Sequence, residues 1–488
     1  MAKRVEEFSS RWGMILAMLG MAVGTGNIWR FPRIAASNGG GSFLVAWVVF
    51  LLAWSVPLIM VEFAMGKAAR KGPPGAFARL VGPKFAWMGS FIAFTSTAIM
   101  FYYAVVMGWT LRYFWAAVVG ELPGADPQAL WSSFAYTPKV LWVHALAVGA
   151  GIWVVARGVK GIEAAAKVLI PSLFFLVVAL TIRAVTLPGA EAGLNFLFTP
   201  SWEGLANYKV WLEALTQNAW DTGAGWGLIV AYAVYLRKTE DTSLNAFMLG
   251  FGNNTVSLMA GIMVLCTIFS MMPDAASQIV GEGNEGLTFI WIPQLFERMP
   301  LGRFFMSIFF LALLFAACTS LIAMIELAVR VLTDAGVRRG RAIALVGSAG
   351  FLLGIPSALN QQVFLNQDFV WGVGLMVSGL FFAIGVLRYG VTRFRNELVN
   401  TPHADLRIGR WWDWVIRLVV VEAVVLVLWW FYQVWGEPRF GTFGVGSVVL
   451  QWGVAIAIFL AANGWLVERL DRTAAEVRAE ESEPSSVA

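Results

Sequence analysis

Residues 20–32 read Gly-Met-Ala-Val-Gly-Thr-Gly-Asn-Ile-Trp-Arg-Phe-Pro and lie inside the first long apolar segment of a 488-residue chain. Gly20, Gly24 and Gly26 weaken a helix here, and Pro32 limits its end. Asn27 and Arg30 add polar groups to the same apolar run. Unpaired backbone in lipid is costly, so such a break stands only where it is buried in protein or lines a cavity. The stretch therefore predicts a helix broken at membrane depth, with a binding site at the break.

The rest of the chain agrees with a membrane location. Hydrophobic residues make up 59% and charged residues only 13%, and mean hydropathy is +0.70. A soluble domain carries about 25% charged residues. Spanning takes about 20 mostly apolar residues. Twelve candidate spans follow, near 12–35, 41–69, 87–119, 140–156, 163–186, 210–236, 243–271, 303–333, 341–359, 368–390, 412–436 and 444–467. The expected fold is an all-α polytopic membrane protein with twelve transmembrane helices.

Charge sets the orientation. Lys67, Arg70, Lys71, Arg79 and Lys84 share one loop region, and Arg157, Lys160, Lys167, Arg237, Lys238, Arg338, Arg339, Arg341, Arg393, Arg395, Arg407 and Arg410 fall in alternate loops after it. The opposite loops hold acids such as Asp126, Glu191, Glu203, Asp274, Glu282 and Glu285. By the positive-inside rule both termini are cytoplasmic. The net charge of +5 reflects this bias and no nucleic-acid partner is expected. No phosphate-binding loop, Cys/His cluster or nucleophile–base set is present, which disfavours ATP-driven transport, structural zinc and enzymatic catalysis. The first segment is too long for a cleavable signal and lacks a cleavage site. Cys266 and Cys318, both in apolar spans, read as core packing.

A second glycine-rich break, Asp221-Thr222-Gly223-Ala224-Gly225-Trp226-Gly227, interrupts the sixth span. The two breaks open successive blocks of five spans. Five is odd, so the blocks insert in opposite senses, which predicts a 5+5 inverted repeat with the site at its interface. The units are a cytoplasmic segment (1–11), a first repeat with its outer loop (12–200), a second repeat (201–390), spans eleven and twelve (391–468) and a disordered cytoplasmic tail (469–488). Residues 273–300, with their prolines and glycines, read as an outer loop of short helices.

Gln217 and Asp221 share a helix face, as do Asn253 and Ser257 on the seventh span. Interhelical hydrogen bonding, worth roughly 1 kcal/mol each, accounts for Gln217 and Ser257. It does not account for Asp221, because a mid-membrane carboxylate costs about 2.5–3.5 kcal/mol and calls for a cation, an amine or a proton. Thr319 and Ser320 offer adjacent hydroxyls, and Tyr102–Tyr103 a phenol. Glu62 is either a partner of the broken first helix or structural glue.

These residues resemble the neurotransmitter:sodium symporters, most of all their prokaryotic amino-acid transporters. The likeness rests on Gly20–Pro32, Asn38-Gly39-Gly40-Gly41 and Pro57-Leu58-Ile59-Met60-Val61-Glu62, and runs from about Arg11 to the end of span twelve. The inverted repeat defines this family, so the two readings of architecture are not independent. The resemblance implies a leucine-transporter-like fold and two sodium sites. Site 1 takes Ala22, Asn27, Asp221 and Asn253, and site 2 takes Gly20, Val23, Ala316, Thr319 and Ser320. The chain departs from the family at Asp221, where Thr or Ser is usual. The chloride-site positions of chloride-dependent relatives are here Trp47, Gln217, Asp221, Asn253 and Ser257. Both the Tyr of those relatives and the Glu of chloride-independent ones are absent, so the Asp221 carboxylate is expected to supply the negative charge and chloride to be dispensable.

By the same resemblance, Gly24 in place of the Asp of monoamine carriers favours an amino acid. Tyr103 and the Thr25 and Gly26 N–H groups would hold its carboxylate, and carbonyls near Ala22, Trp220 and Gly223, with Asp221, its amine. Ile99, Val106, Trp220, Trp226, Leu321 and Met324 would form an apolar wall. Arg30 with Asp368 would gate the outside and Tyr235 with Asp334 the inside. The family's inner Arg and Trp are replaced by Val5 and Phe8, with Arg4 adjacent. The implied function is sodium-coupled import of a neutral, hydrophobic amino acid across a prokaryotic cytoplasmic membrane. Uptake of another small zwitterion, proton coupling through Asp221 and a sodium-dependent sensor stay open. Oligomeric state is not legible.

Overall fold

The computed structural model describes residues 6–122, 124, 126–281 and 283–482. The regular elements among them are all helical. Those that position the site are α1 (Arg11–Ala22), α2 (Phe31–Ser37), α3 (Gly41–Ala69), α4 (Ala86–Val119), α5 (Val140–Val155), α6 (Gly158–Val185), α7 (Tyr208–Asp221), α8 (Leu228–Ala233), α9 (Thr242–Met271), α10 (Gly302–Asp334), α11 (Arg339–Leu359), α12 (Gln361–Tyr389), α13 (Trp411–Gln433) and α14 (Val445–Ser482). Nine described helices are long and apolar enough to cross a membrane, or ten with α1 and α2 taken as one span bent by 52°. The shorter apolar α5 and the interrupted α7–α8 pair occupy the two remaining expected positions, consistent with twelve spans.

Burial separates scaffold from periphery. The spans of α3, α4, α10 and α12 are mostly buried, while α11, α13 and α14 leave Leu352, Leu428 and Ile458 exposed, as lipid-facing helices do. Within α3 a π-bulge at Leu51–Ser55 precedes Pro57, whose missing N–H a wider turn accommodates. The end of the molecule carrying the basic loops is termed inner, the other outer.

Both predicted breaks are present. Helix α1 stops at Ala22, and Val23 is extended. The Gly24 N–H, freed by the break, donates to Asn27 Oδ1 at 2.7 Å. A single π turn, Gly26–Arg30, then leads into α2 with Pro32 in its first turn. In the second break Gly223 and Gly225 take φ of +72° and +87°, where a side chain would be strained. The Gly225 N–H donates to Glu62 Oε1 at 2.6 Å. The alternatives open for Glu62 thus resolve onto the second break rather than the first: a carboxylate from α3 satisfies the unwound backbone just before α8, where a helix N-terminus favours negative charge.

The outer segment 273–300 forms short helices, among them Gly286–Trp291 and Ile292–Glu297. The tail differs from expectation. Helix α14 runs on to Ser482, so 469–482 is helical rather than disordered, and Glu468 and Arg472 pair four residues apart at 3.8 Å. Residues 483–488 lie outside the described residues.

Candidate functional site: a cavity between two broken helices

The two breaks meet. A Cβ added at Gly26 would lie 3.8 Å from the Asp221 Cβ, and one at Gly223 would lie 3.7 Å from the Ala22 Cα. Between them lies a cavity lined by Ala22, Thr25, Gly26, Asn27, Tyr103, Val106, Trp220, Asp221, Gly223, Trp226, Ser320 and Met324, among others. Ile99 and Leu321 are fully buried and are not among its lining residues. Both sit on long helices, where a one-residue rotation of a face decides between lining and core.

One end of the cavity suits an anion. The Thr25 N–H donates to the Tyr103 hydroxyl at 3.1 Å, and the Thr25 hydroxyl lies 3.2 Å from it. A phenol and N–H groups at a break form a ready cradle for a carboxylate. Trp220 and Trp226, edge-to-face with centroids 6.2 Å apart, form an apolar wall with Val106 and Met324.

The other side is rich in oxygen. Gln217 Nε2 and the Ser257 hydroxyl each donate to Asp221 Oδ2 at 3.1 Å. Asn27 Nδ2 donates to Asn253 Oδ1 at 2.9 Å and to the Ser257 hydroxyl at 2.7 Å. Asp221 Oδ1 and Gln217 Oε1 are buried without a partner among the described residues. An orphaned carboxylate oxygen in this setting is an acceptor in want of a cation or proton. The sequence-predicted cluster of Gln217, Asp221, Asn253 and Ser257, joined by Asn27, is therefore one connected network. Trp47 contributes differently: its backbone oxygen accepts from Asn218 Nδ2 at 3.0 Å and its ring lies 4.6 Å from Phe31.

The residues expected for the second sodium site also come together. The Ser320 hydroxyl is 3.4 Å from the Val23 oxygen, and Thr319 Oγ1 is 3.1 Å from the Ala316 oxygen. A Cβ on Gly20 would lie 3.2 Å from Thr319 Cβ. Two hydroxyls, the Val23 carbonyl at the break and the helical Gly20 and Ala316 carbonyls are all oxygen donors, the kind a hard cation takes.

Both gate expectations change in detail. Arg30 and Asp368 line the cavity together, yet the Arg30 guanidinium lies 4.8 Å from the Trp220 ring centre and forms no ion pair among the described residues. Burial against an aromatic face replaces the pair. Outward, a wider cavity of about 550 Å³ shares Trp29, Asn284 and Asp368 with the site. On the inner side Tyr235 and Asp334 do not pair. Tyr235 donates to Glu326 at 2.6 Å, and Glu326 also pairs with Arg339 at 2.7 Å. Asp334 accepts from the Gly72 N–H at 2.6 Å and pairs with Arg330 at 2.9 Å. Arg4 and Val5 lie outside the described residues. Sequence reasoning missed Glu326, although a fully buried acid in an apolar helix is the signal that singled out Asp221. It also missed Asn218, which accepts from the Ser55 hydroxyl at 3.1 Å beneath the α3 bulge.

Two broken spans facing one another across a polar-lined cavity in a polytopic helical protein are the architecture of secondary transporters. Comparison with known proteins makes the class specific. The family model described as Sodium:neurotransmitter symporter family matches residues 5–139 and 132–470, and the chain belongs to that family. It is 32% identical to an uncharacterized sodium-dependent transporter of Methanocaldococcus jannaschii, over 86% of this chain and 90% of that protein. A sodium-dependent transporter of Bacillus subtilis is 30% identical, over 86% and 96% respectively. The crystal structure of MhsT in complex with L-phenylalanine superposes with a TM-score of 0.76 at 30% identity, covering 87% of this chain and 98% of that one. The chain is a sodium-dependent membrane transporter and not an enzyme.

Proposed function

We propose that this protein is a sodium-coupled symporter that imports a neutral, hydrophobic amino acid by alternating access and needs no chloride. The observation that carries the reading is Asp221, a carboxylate with Oδ2 held by Gln217 and Ser257 and Oδ1 unpaired, on the wall of the cavity that Tyr103, Thr25, Trp220 and Trp226 also line. Its charge stands where a chloride would otherwise balance sodium, and at low effective dielectric an added anion a few ångströms away is repelled. Sodium, as cargo, takes oxygens of Ala22, Asn27, Asn253 and Asp221 at one site and of Gly20, Val23, Ala316, Thr319 and Ser320 at the other. The substrate carboxylate sits at Tyr103, Thr25 and Gly26, its amine near Ala22, Trp220, Gly223 and Asp221. Its side chain lies against the two tryptophans. The aromatic ligand of MhsT agrees with a bulky apolar side chain. The protein lies in the cytoplasmic membrane of a prokaryote with both termini inside.

The unpaired Oδ1 favours one alternative, in which Asp221 exchanges a proton during the cycle. Uptake in proteoliposomes tests both readings. Sodium-dependent accumulation of a hydrophobic amino acid against its gradient, unchanged in chloride-free buffer, is expected. Loss of uptake without chloride refutes the charge role. Asp221→Asn is expected to make uptake respond to chloride. If it instead abolishes only the pH dependence, proton exchange is the role. Sodium-dependent binding without accumulation would mark a sensor.

A further inference from the structure

The N-terminal segment before α1 is held at the inner side by a residue that neither gate expectation includes. Glu163, at the inner start of α6, is 2% exposed. It accepts three hydrogen bonds from residues more than 150 positions away: the Ser9 N–H at 2.8 Å, the Ser9 hydroxyl at 2.6 Å and the Ser10 hydroxyl at 3.0 Å. Lys167, one turn along and partly exposed, pairs with it at 2.7 Å. The seat is shaped for α1. A Cβ on Gly13 would fall onto the Glu163 carboxylate, so a larger residue there would push that side chain out of its present seat. Ser10 is also the N-cap of α1, accepting from the Gly13 N–H at 3.0 Å. One carboxylate therefore holds the segment, its cap and the first turn.

Other restraints act on the residues just before α1. Glu7 and Arg70 are 3.8 Å apart with Glu7 well exposed, a geometry worth little. Arg237 reaches the Ser9 oxygen at 3.1 Å from the surface. The Phe8 N–H donates to the Tyr235 oxygen at 3.2 Å, and its ring meets Tyr232 and Tyr235 edge-on. Asp334, Arg330, Glu326 and Arg339 are committed to one another, to Tyr235 and to Gly72.

Helix α1 has 12 residues, a rigid rod of about 18 Å. Its far end carries Gly20 and leads directly into Val23, both proposed to give oxygens to sodium site 2. There α6 touches it again, with Ile170 Cδ1 3.0 Å from a Cβ built on Gly20. Helix α6 thus meets α1 at both ends, by the carboxylate at the inner surface and by Ile170 beside the cation site. Swinging the inner end of α1 away from α6 breaks the Glu163 hydrogen bonds and uncovers that flank.

We propose that Glu163 is the latch of the inner side: its hold on Ser9 and Ser10 keeps α1 seated against α6 in the closed state, and releasing it opens the inner route from sodium site 2. Glu163 is a positioning residue, since it is neither among the residues lining the cavity nor among the oxygens proposed for sodium. The proposal rests on the alternating-access reading for its consequence but not for its first test. That test is hydrogen–deuterium exchange on the full chain in nanodiscs, with and without sodium. Loss of hydrogen bonds to a charged group is expected to make Glu163→Gln and Ser9→Ala each speed exchange over residues 8–20 roughly tenfold. The double variant should add little more, because the Ser9 hydroxyl bond is already weakened in Glu163→Gln. Lys167→Met, which leaves the serine bonds in place, should stay within about twofold of wild type. Saturating sodium should restore much of the lost protection, and half-saturating sodium should rise several-fold, as a shifted equilibrium demands and a locally damaged fold does not. Wild-type exchange in Glu163→Gln overturns the proposal, and so does a full additive effect of Ser9→Ala on that background. If wild-type protein fails to accumulate substrate, the transport reading falls while the exchange result still decides the latch.

Discussion

Replacing Gly24 by Ala tests whether the first break is a sodium and substrate site or merely a bend. A Cβ there would lie 2.7 Å from the Ser320 hydroxyl and 3.1 Å from the Tyr103 hydroxyl. Ordinary contact begins near 3.4 Å, so Ser320 must retreat by at least about 0.7 Å (3.4 − 2.7). It now sits 3.4 Å from the Val23 oxygen, and the retreat withdraws it from the proposed second cation site. Taking the lost oxygen as equal to a hydrogen bond to a charged group, about 1.5–3 kcal/mol, half-saturating sodium should rise roughly 10- to 150-fold. Gly26→Ala is the control. It makes the same change in backbone freedom two residues on, but its Cβ meets only the Asp221 Cβ at 3.8 Å. Its sodium response should move by less than about threefold, since an ordinary contact adds little strain. Sodium-dependent thermal stabilisation of the purified protein reads both, because a ligand stabilises only the state it binds. Equal shifts in the two variants, or none in Gly24→Ala, would refute the steric argument and with it the placement of Ser320 as a ligand.

Two further outcomes follow from single contacts. Glu62→Ala strands the buried Gly225 N–H and should cost about 1–3 kcal/mol, lowering the melting temperature by a few degrees, whereas Glu62→Gln keeps an acceptor oxygen and should lose less; equal losses would show that the charge rather than the hydrogen bond matters. In the outer loop, burial pushes the Glu285 carboxyl up from 4.5 to about 7. The folded state therefore binds more protons than the unfolded one between these values, and stability should fall as pH rises from about 4.5 to 7 and level off above. Glu285→Gln should match wild type near pH 4 and exceed it in melting temperature above pH 7; parallel curves would contradict this.

The membrane class, the two breaks and the polar cluster of Gln217, Asp221, Asn253 and Ser257 were legible in the residues alone. Apolar runs of 20 residues admit one solution in lipid, because every peptide group must be paired within its own helix. Two glycine-rich interruptions in such runs are visible without coordinates, and a carboxylate at Asp221 stands out against its surroundings for the same energetic reason. Tertiary structure alone decided who satisfies whom. Glu62 was legible as a buried acid, yet only the approach of α3 to the second break shows it serving Gly225. Tyr235 and Asp334 were named as inner partners, but Glu326 and Gly72 take them, since pairing depends on side-chain reach across helices. The hold of Glu163 on Ser9 and Ser10 spans more than 150 residues. No local pattern encodes such a contact, because it exists only once separate helices pack at a fixed height and rotation.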